Sequence, residues 1–178
     1  MKRLMFLSLV ILTACGPSVK VGYDYDRSAN FSQYKTYTFT NDALNYPINE
    51  LNRQRVLAAI ESELNAKGLS KSDNGDVLVD IKLTAERQQT ATATNTGPYG
   101  AGYGYRWGGG FSTTQINVET YIEGTLFIDL IDNAKKQLVW QGRGVKTLDK
   151  DATPEQRDQR IKEAVNLIMK QYPPAAKK

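Results

Sequence analysis

The stretch VETYIEGTLFIDLID, Val118 to Asp132, decides the fold. It is a long run of strand-forming residues, and QLVWQGRGVKTL, Gln137 to Leu148, follows it across the short polar turn DNAKK. Two such runs joined by a turn read as an antiparallel hairpin. Asp132-Asn133 supplies the turn chemistry, because Asp and Asn side chains bond to the backbone just beyond them. Upstream, DVLVDIKLTA, Asp76 to Ala85, alternates Val77, Val79, Ile81 and Leu83, which predicts a strand with one face in the core. YKTYTFT, Tyr34 to Thr40, and VKVGYDYD, Val19 to Asp26, read as two more strands around a loop of Ser28, Asn30 and Ser32. In the second of these, Val19, Val21, Tyr23 and Tyr25 share one face.

The period changes between these strands. From Leu51 to Lys67 the residues Val56, Leu57, Ile60 and Leu64 fall on one helical face, and Gly68 stands where a glycine stops a helix. Near the end, Thr153, Pro154 and Gln156 match the N-cap, first-turn and capping-box positions. Ile161, Ala164, Val165, Leu167 and Ile168 form the apolar stripe of that second helix, and Pro173-Pro174 closes it. The expected architecture is α+β: a two-layer sandwich of a mainly antiparallel sheet with two helices packed on one face.

The chain opens MKRLMFLSLVILTACG. Lys2 and Arg3 precede an apolar run from Leu4 to Leu12 that is too short for a permanent membrane span, and small residues lead to Cys15, the only cysteine. This is a secretory signal pattern. Leu12-Thr13-Ala14-Cys15 resembles the bacterial lipobox, and that resemblance implies cleavage before Cys15, a diacylglyceryl group on its sulfur and an acyl group on its new amine. Gly16 rather than aspartate follows, so the expected destination is the outer membrane, on its periplasmic face. Lipidation also takes the one thiol out of disulfide or catalytic use. Of 23 Lys+Arg, removal of Lys2 and Arg3 leaves 21 against 19 Asp+Glu, a balance that gives no argument for nucleic acid.

VGYDYDRSANFSQYKTYTF, GDVLVDI, YIEGTLFIDLIDNAKKQLVWQG and the closing AVNLIMKQYPP together resemble the bacterial lipoprotein family numbered 4136 among the domains of unknown function. The likeness covers nearly all of the mature chain. Gly75 departs from it where alanine is expected, and Phe39 where tryptophan is common. The resemblance implies a periplasm-facing lipoprotein of two-layer α+β fold and supplies no catalytic residues.

Histidine is absent, which excludes the usual Ser-His-Asp and Cys-His hydrolases and His-ligated zinc. The stretch TGPYGAGYGYRWGGGF, Thr96 to Phe111, has no lysine for a phosphate cradle, and Trp107 occupies the third glycine position of a dinucleotide fingerprint. Three readings of it stand: an insertion of no single structure, a contact loop in which Tyr99, Tyr103, Tyr105, Trp107 and Phe111 anchor a ligand or partner, or a segment folded back onto the protein's own sheet. Asp129 and Asp132, three apart on a strand, point to opposite faces and make a poor acid/base pair. Asp24 and Asp26 share a face as solvated residues, as a cation site or as a carboxylate pair. Ser70-x-Ser72-x-Asn74-Gly75 lacks the closing glutamate of a calcium loop and reads as a turn. Trp140 reads as a packing residue.

The resulting expectation is organised as follows. Residues 1–14 form a lipoprotein signal peptide, 15–19 the lipidated cysteine and a short tether, 20–172 a single α+β domain with a flexible Gly/Tyr/Thr-rich insertion at 88–117, and 173–178 a tail. No catalytic site, metal or cofactor is expected. The domain is expected to act as a binding or scaffolding module on the outer membrane, anchored by the lipid on Cys15, with an envelope protein or peptidoglycan as partner. Glycan or small-ligand capture by the Tyr/Trp/Gly loop is the alternative, and a carboxylate-only hydrolase ranks behind it.

Overall fold

The computed structural model describes residues 19–96, 113–149 and 151–174. Within them the chain forms β1 (Lys20–Tyr25), β2 (Thr36–Phe39), α1 (Asn41–Leu44), α2 (Glu50–Ala66), β3 (Ser70–Lys71), β4 (Val77–Thr96), β5 (Thr113–Asp132), β6 (Gln137–Leu148) and α3 (Pro154–Met169). The six strands make one sheet in the order β1-β6-β5-β4-β2-β3. Neighbours from β1 to β4 are antiparallel, whereas β2 runs parallel to both β4 and β3. This is the expected α+β sandwich with a mixed edge, produced because α1 and α2 carry the chain back before β3 and β4 begin. The two strands read around the Ser28, Asn30, Ser32 loop do not pair with each other: β1 lies at one edge beside β6, and β2 lies beyond β4.

Local signals set the element ends. Asn49 caps α2 by accepting from the backbone of Leu51 and Asn52, and Gly68 at φ +84° ends it. The capping box of α3 is complete, with Thr153 and Gln156 exchanging side-chain and backbone bonds. Val56, Ile60 and Leu64 of α2 and Val165, Ile168 and Met169 of α3 are buried against Val77, Val79 and Ile81 of β4, Leu126, Ile128 and Leu130 of β5, and Val139 and Trp140 of β6. Trp140 is fully buried, with the Tyr172 ring 5.4 Å away, as a packing residue should be.

Gly142 and Gly144 of β6 let α3 approach the sheet. A Cβ on Gly142 would lie 2.5 Å from Ile168, and one on Gly144 would lie 2.8 Å from it. Gly75 answers a similar need, because a Cβ there would lie 2.3 Å from the carbonyl carbon of Tyr37, on the backbone of β2. Phe39 fills its place in the core against Tyr37, ring centroids 5.7 Å apart.

The expected flexible insertion at 88–117 is corrected at both its ends. β4 runs on from Ala85 to Thr96 and β5 starts at Thr113, so both flanks are strand, in unbroken antiparallel register from Val77 opposite Asp132 to Thr96 opposite Thr113. The flanks lack the alternation of a half-buried strand because residues 91–93 and 116–120 are exposed on both faces, and threonine's β-branched side chain is what remains of a strand signal.

Two buried polar atoms, the Tyr37 hydroxyl and the Trp140 indole nitrogen, have no hydrogen-bond partner among the described residues. Burial, and then the charge of Glu61, push the Tyr37 hydroxyl up to about 12. Tyr37→Phe is therefore expected to raise stability by about 1 kcal/mol, since it removes an unsatisfied buried group without removing a bond. Urea unfolding of the two proteins checks this.

Candidate functional site

The sheet has two chemically different ends. At one, the DNAKK turn, the start of β4 and the 3-10 turn Phe31–Gln33 surround a polar cleft of about 650 Å³. Asp132, the buried charged residue among those described, is its centre. Its Oδ2 accepts from the Tyr34 hydroxyl at 2.9 Å and its Oδ1 from the Lys135 backbone N–H at 2.8 Å. The Lys135 N–H is the largest influence holding the carboxyl below its usual range. Asp76 is clamped alike: its Oδ2 accepts the backbone N–H groups of Lys35 and Thr36 at 2.8 and 2.9 Å, which lower its pKa. Asn133 ties the turn to the start of β4 through Asn74 Oδ1 and the Gly75 carbonyl, both at 2.9 Å. Carboxylates with their oxygens taken by backbone donors are structural acceptors, poorly placed for proton transfer.

A depressed folded pKa means that the stability contributed by Asp132 is present above the unfolded value near 4 and is lost as pH falls through the folded value. Asp132→Asn is thus expected to cost about 1.5–3 kcal/mol at pH 7, in line with hydrogen bonds to a charged group. The difference from the unaltered chain should shrink below about pH 4. Denaturant unfolding at both pH values measures it.

The sheet face away from the helices carries a row of polar side chains in register: Asp24 beside Gln141, Gln141 beside Asp129, and Asp129 beside Asp80. Gln141 Nε2 donates to Asp129 at 2.8 Å, and the Thr40 hydroxyl donates to Asp80 at 2.5 Å. Burial is the main cause raising the Asp129 pKa, and the Asp80 charge across the ladder adds to it. Neither Asp80 nor Asp129 lines the cleft around Asp132. The Asp80–Asp129 pair was beyond sequence reasoning, because it depends on a register across some fifty residues of chain. Asp129 and Asp132 do point to opposite faces, as their spacing requires. Asp24 and Asp26 both line a cavity of about 510 Å³ beside the start of β6, but their hydrogen-bond partners differ. Asp24 accepts from the Tyr25 backbone N–H, while Asp26 lies past the end of β1 and accepts from Ser28 through both its N–H and its hydroxyl. Ser70 and Lys71, in the stretch weighed as a calcium loop, form β3 instead.

At the opposite end, β4 and β5 leave the sheet as a two-stranded ribbon. β6 pairs with β5 only as far as Ile122, opposite Leu148, and β2 pairs with β4 only from Val77 to Val79. Thr113 lies nine residues before Ile122, roughly 30 Å of further strand. At the ribbon's root is an apolar groove of about 520 Å³, lined by Leu83, Ile122, Leu126 and Leu148 of the sheet, with Ile161 and Ala164 of α3. Val19 lines it too. Cys15 and the aromatic residues Tyr99, Tyr103, Tyr105, Trp107 and Phe111 lie outside the described residues. The segment bearing those aromatics joins Thr96 to Thr113 at the ribbon's far end. No group of three or more candidate metal ligands occurs among the described residues, and no described helix is long and apolar enough to cross a membrane.

The family model for the domain of unknown function DUF4136 matches residues 21–174. No curated protein matches the chain. Among solved structures, a PDZ domain protein from Parabacteroides distasonis is similar at 17% identity with a TM-score of 0.52, over 88% of this chain and 36% of that one. This chain therefore spans about a third of that protein's length. PelC dodecamers from Paraburkholderia phytofirmans are similar at 10% and 12% identity, with TM-scores of 0.49 and 0.45, over 85% of this chain and 95% of theirs. At such identities the likeness to the PDZ domain protein is one of fold alone.

Proposed function

The chain belongs to the DUF4136 family, and we propose that it is an outer-membrane lipoprotein whose single domain faces the periplasm and works by binding, as an accessory or scaffolding component of the envelope. The reading rests on one observation above all: β4 and β5 run on as a paired ribbon roughly 30 Å beyond the last β5–β6 pair, and the Tyr/Trp/Gly segment joins their ends in sequence. Isolated two-stranded ribbons are marginal in water, so one of this length has a use in contact. The signal pattern ending at Cys15 supplies the anchor, and exposed Tyr and Trp rings suit protein, sugar or interfacial contacts.

The test is copurification from solubilised envelopes. A chain in which residues 97–112 are replaced by an Asn-Gly turn is expected to keep the melting temperature of the full chain and to lose the partners that copurify with it. Unchanged partners would sink this reading. The alternative, glycan capture by the same segment, draws on the spacing of Tyr103 and Trp107 by glycines. It expects Tyr103→Ala with Trp107→Ala to abolish cosedimentation with isolated peptidoglycan while leaving stability unchanged.

A further inference from the structure

We infer that the ribbon end of the domain lies on a lipid surface, with one face of the ribbon turned into it; this deepens the lipoprotein reading and rests on it. Three observations point the same way. The first is the exit of the chain. Lys20 pairs with Val145, close to the Leu148 end of β6, and Leu148 in turn pairs with Ile122 at the ribbon's root. The segment leading back to Cys15 therefore leaves the sheet at the end from which the ribbon projects. Three residues separate Cys15 from Val19, so the four steps between them reach about 13 Å when fully extended. The ribbon runs roughly 30 Å from the same end. An anchor so much shorter than the projection beside it brings the ribbon against the surface that holds the anchor.

The second observation is the ribbon's two-sidedness. Register puts Ala93 with Ile116, Ala91 with Val118, and Arg87 with Ile122 on the face that continues the sheet's helix-covered side. The other face pairs Thr92 with Asn117, Thr90 with Glu119, and Glu86 with Glu123. Gln89 opposite Thr120 also lies on the first face, which from Arg87 to Ala93 mixes aliphatic and neutral polar residues with a single cation and no carboxylate, while the other face is polar and acidic. Ile116 and Val118 are 64% and 58% exposed, an arrangement that costs free energy in water and gains it at a lipid interface.

The third is where exposed apolar side chains gather. Leu44 ends α1 just past β2, Leu51 lies in the first turn of α2, and Leu148 ends β6; all three are more than two-fifths exposed and all belong to the ribbon end. The apolar groove opens there too, whereas the polar cleft of Asp132 lies at the opposite end. The ribbon end thus gathers more of the exposed apolar side chains, against Leu138 beside the DNAKK turn and Val21 and Tyr23 along the edge strand β1. Arg87, on the ribbon's carboxylate-free face beside Ile122, suits the phosphate of a headgroup.

The test places a photoreactive residue at Val118 or at Glu119 in the full-length chain, in membranes of cells that process lipoproteins. The two positions are adjacent along β5 and differ in the face they occupy. After irradiation, mass spectrometry reads phospholipid adducts on the chain and the acyl groups on Cys15 in the same sample. At least tenfold more phospholipid adduct at 118 than at 119 is expected. Equal or reversed labelling, or adducts at 118 made only of protein, with Cys15 acylated, would overturn the ribbon's docking and leave the lipoprotein reading standing. Unacylated Cys15 would overturn the lipoprotein reading itself, and the docking inference with it.

Discussion

Gly75→Ala is expected to lower the stability of the domain by about 3 kcal/mol, at the upper end of what overpacking costs. The added methyl group would sit 2.3 Å from the carbonyl carbon of Tyr37, 2.5 Å from its Cα and 2.6 Å from the backbone nitrogen of Thr38. All three are main-chain atoms of β2, held by the parallel pairing with β4 and by the bond from the Ser72 N–H to the Tyr37 carbonyl. A side chain in the way can change rotamer; a strand in register must move as a unit. The strand would carry Tyr37 and Phe39, both core residues, with it. Gly68→Ala makes the control. Gly68 has φ +84° and nothing within 4 Å of an added Cβ, so that change costs only backbone strain, about 1 kcal/mol. Urea unfolding of both variants separates the two mechanisms, and a Gly75→Ala protein as stable as the parent would refute the close approach.

Cys15→Ser is expected to move the chain from the membrane fraction to the soluble fraction. Each buried CH₂ of an acyl chain contributes about 0.8 kcal/mol, and a single myristoyl group gives only marginal, reversible attachment. Several chains on one cysteine hold a protein on its membrane, and the serine substitution removes the attachment site for all of them. Fractionation by sedimentation, with the mass of the N-terminal peptide measured alongside, reads the loss. Retention of the serine variant in the membrane pellet at the parent's level would mean that another element anchors the protein.

The parts of the fold that bury one face were legible in the sequence, because burial leaves a period. Val77, Val79, Ile81 and Leu83 alternate, and Val56, Ile60 and Leu64 recur at helical spacing, since water on one side and core on the other select residues alternately. Caps were legible for the same local reason: Thr153 and Gln156 bond to each other at their own helix end, and Pro154 sits at the first turn, where no N–H is needed. The ribbon was not. With both faces of residues 91–93 exposed, nothing selects for alternation, and what remains is a run of threonine and alanine that composition alone assigns to a loop. Long-range pairings stayed hidden for a different reason. The contacts of Tyr34 with Asp132, and of Asp80 with Asp129, depend on how distant strands align, which no short window contains. Alanine was expected in place of Gly75 from the family likeness, and the reason for glycine lies in β2, forty residues away in sequence and in contact only after folding.

Binding through the ribbon's far end is tested most directly by crosslinking in intact cells from a photoreactive residue at Tyr103, with the captured molecule identified and a Cys15→Ser chain run in parallel. A specific envelope protein or glycan should be captured by the lipidated chain and lost with the serine variant. No specific capture from a chain that remains folded and membrane-bound would contradict the binding role and remove the ribbon's far end from the site.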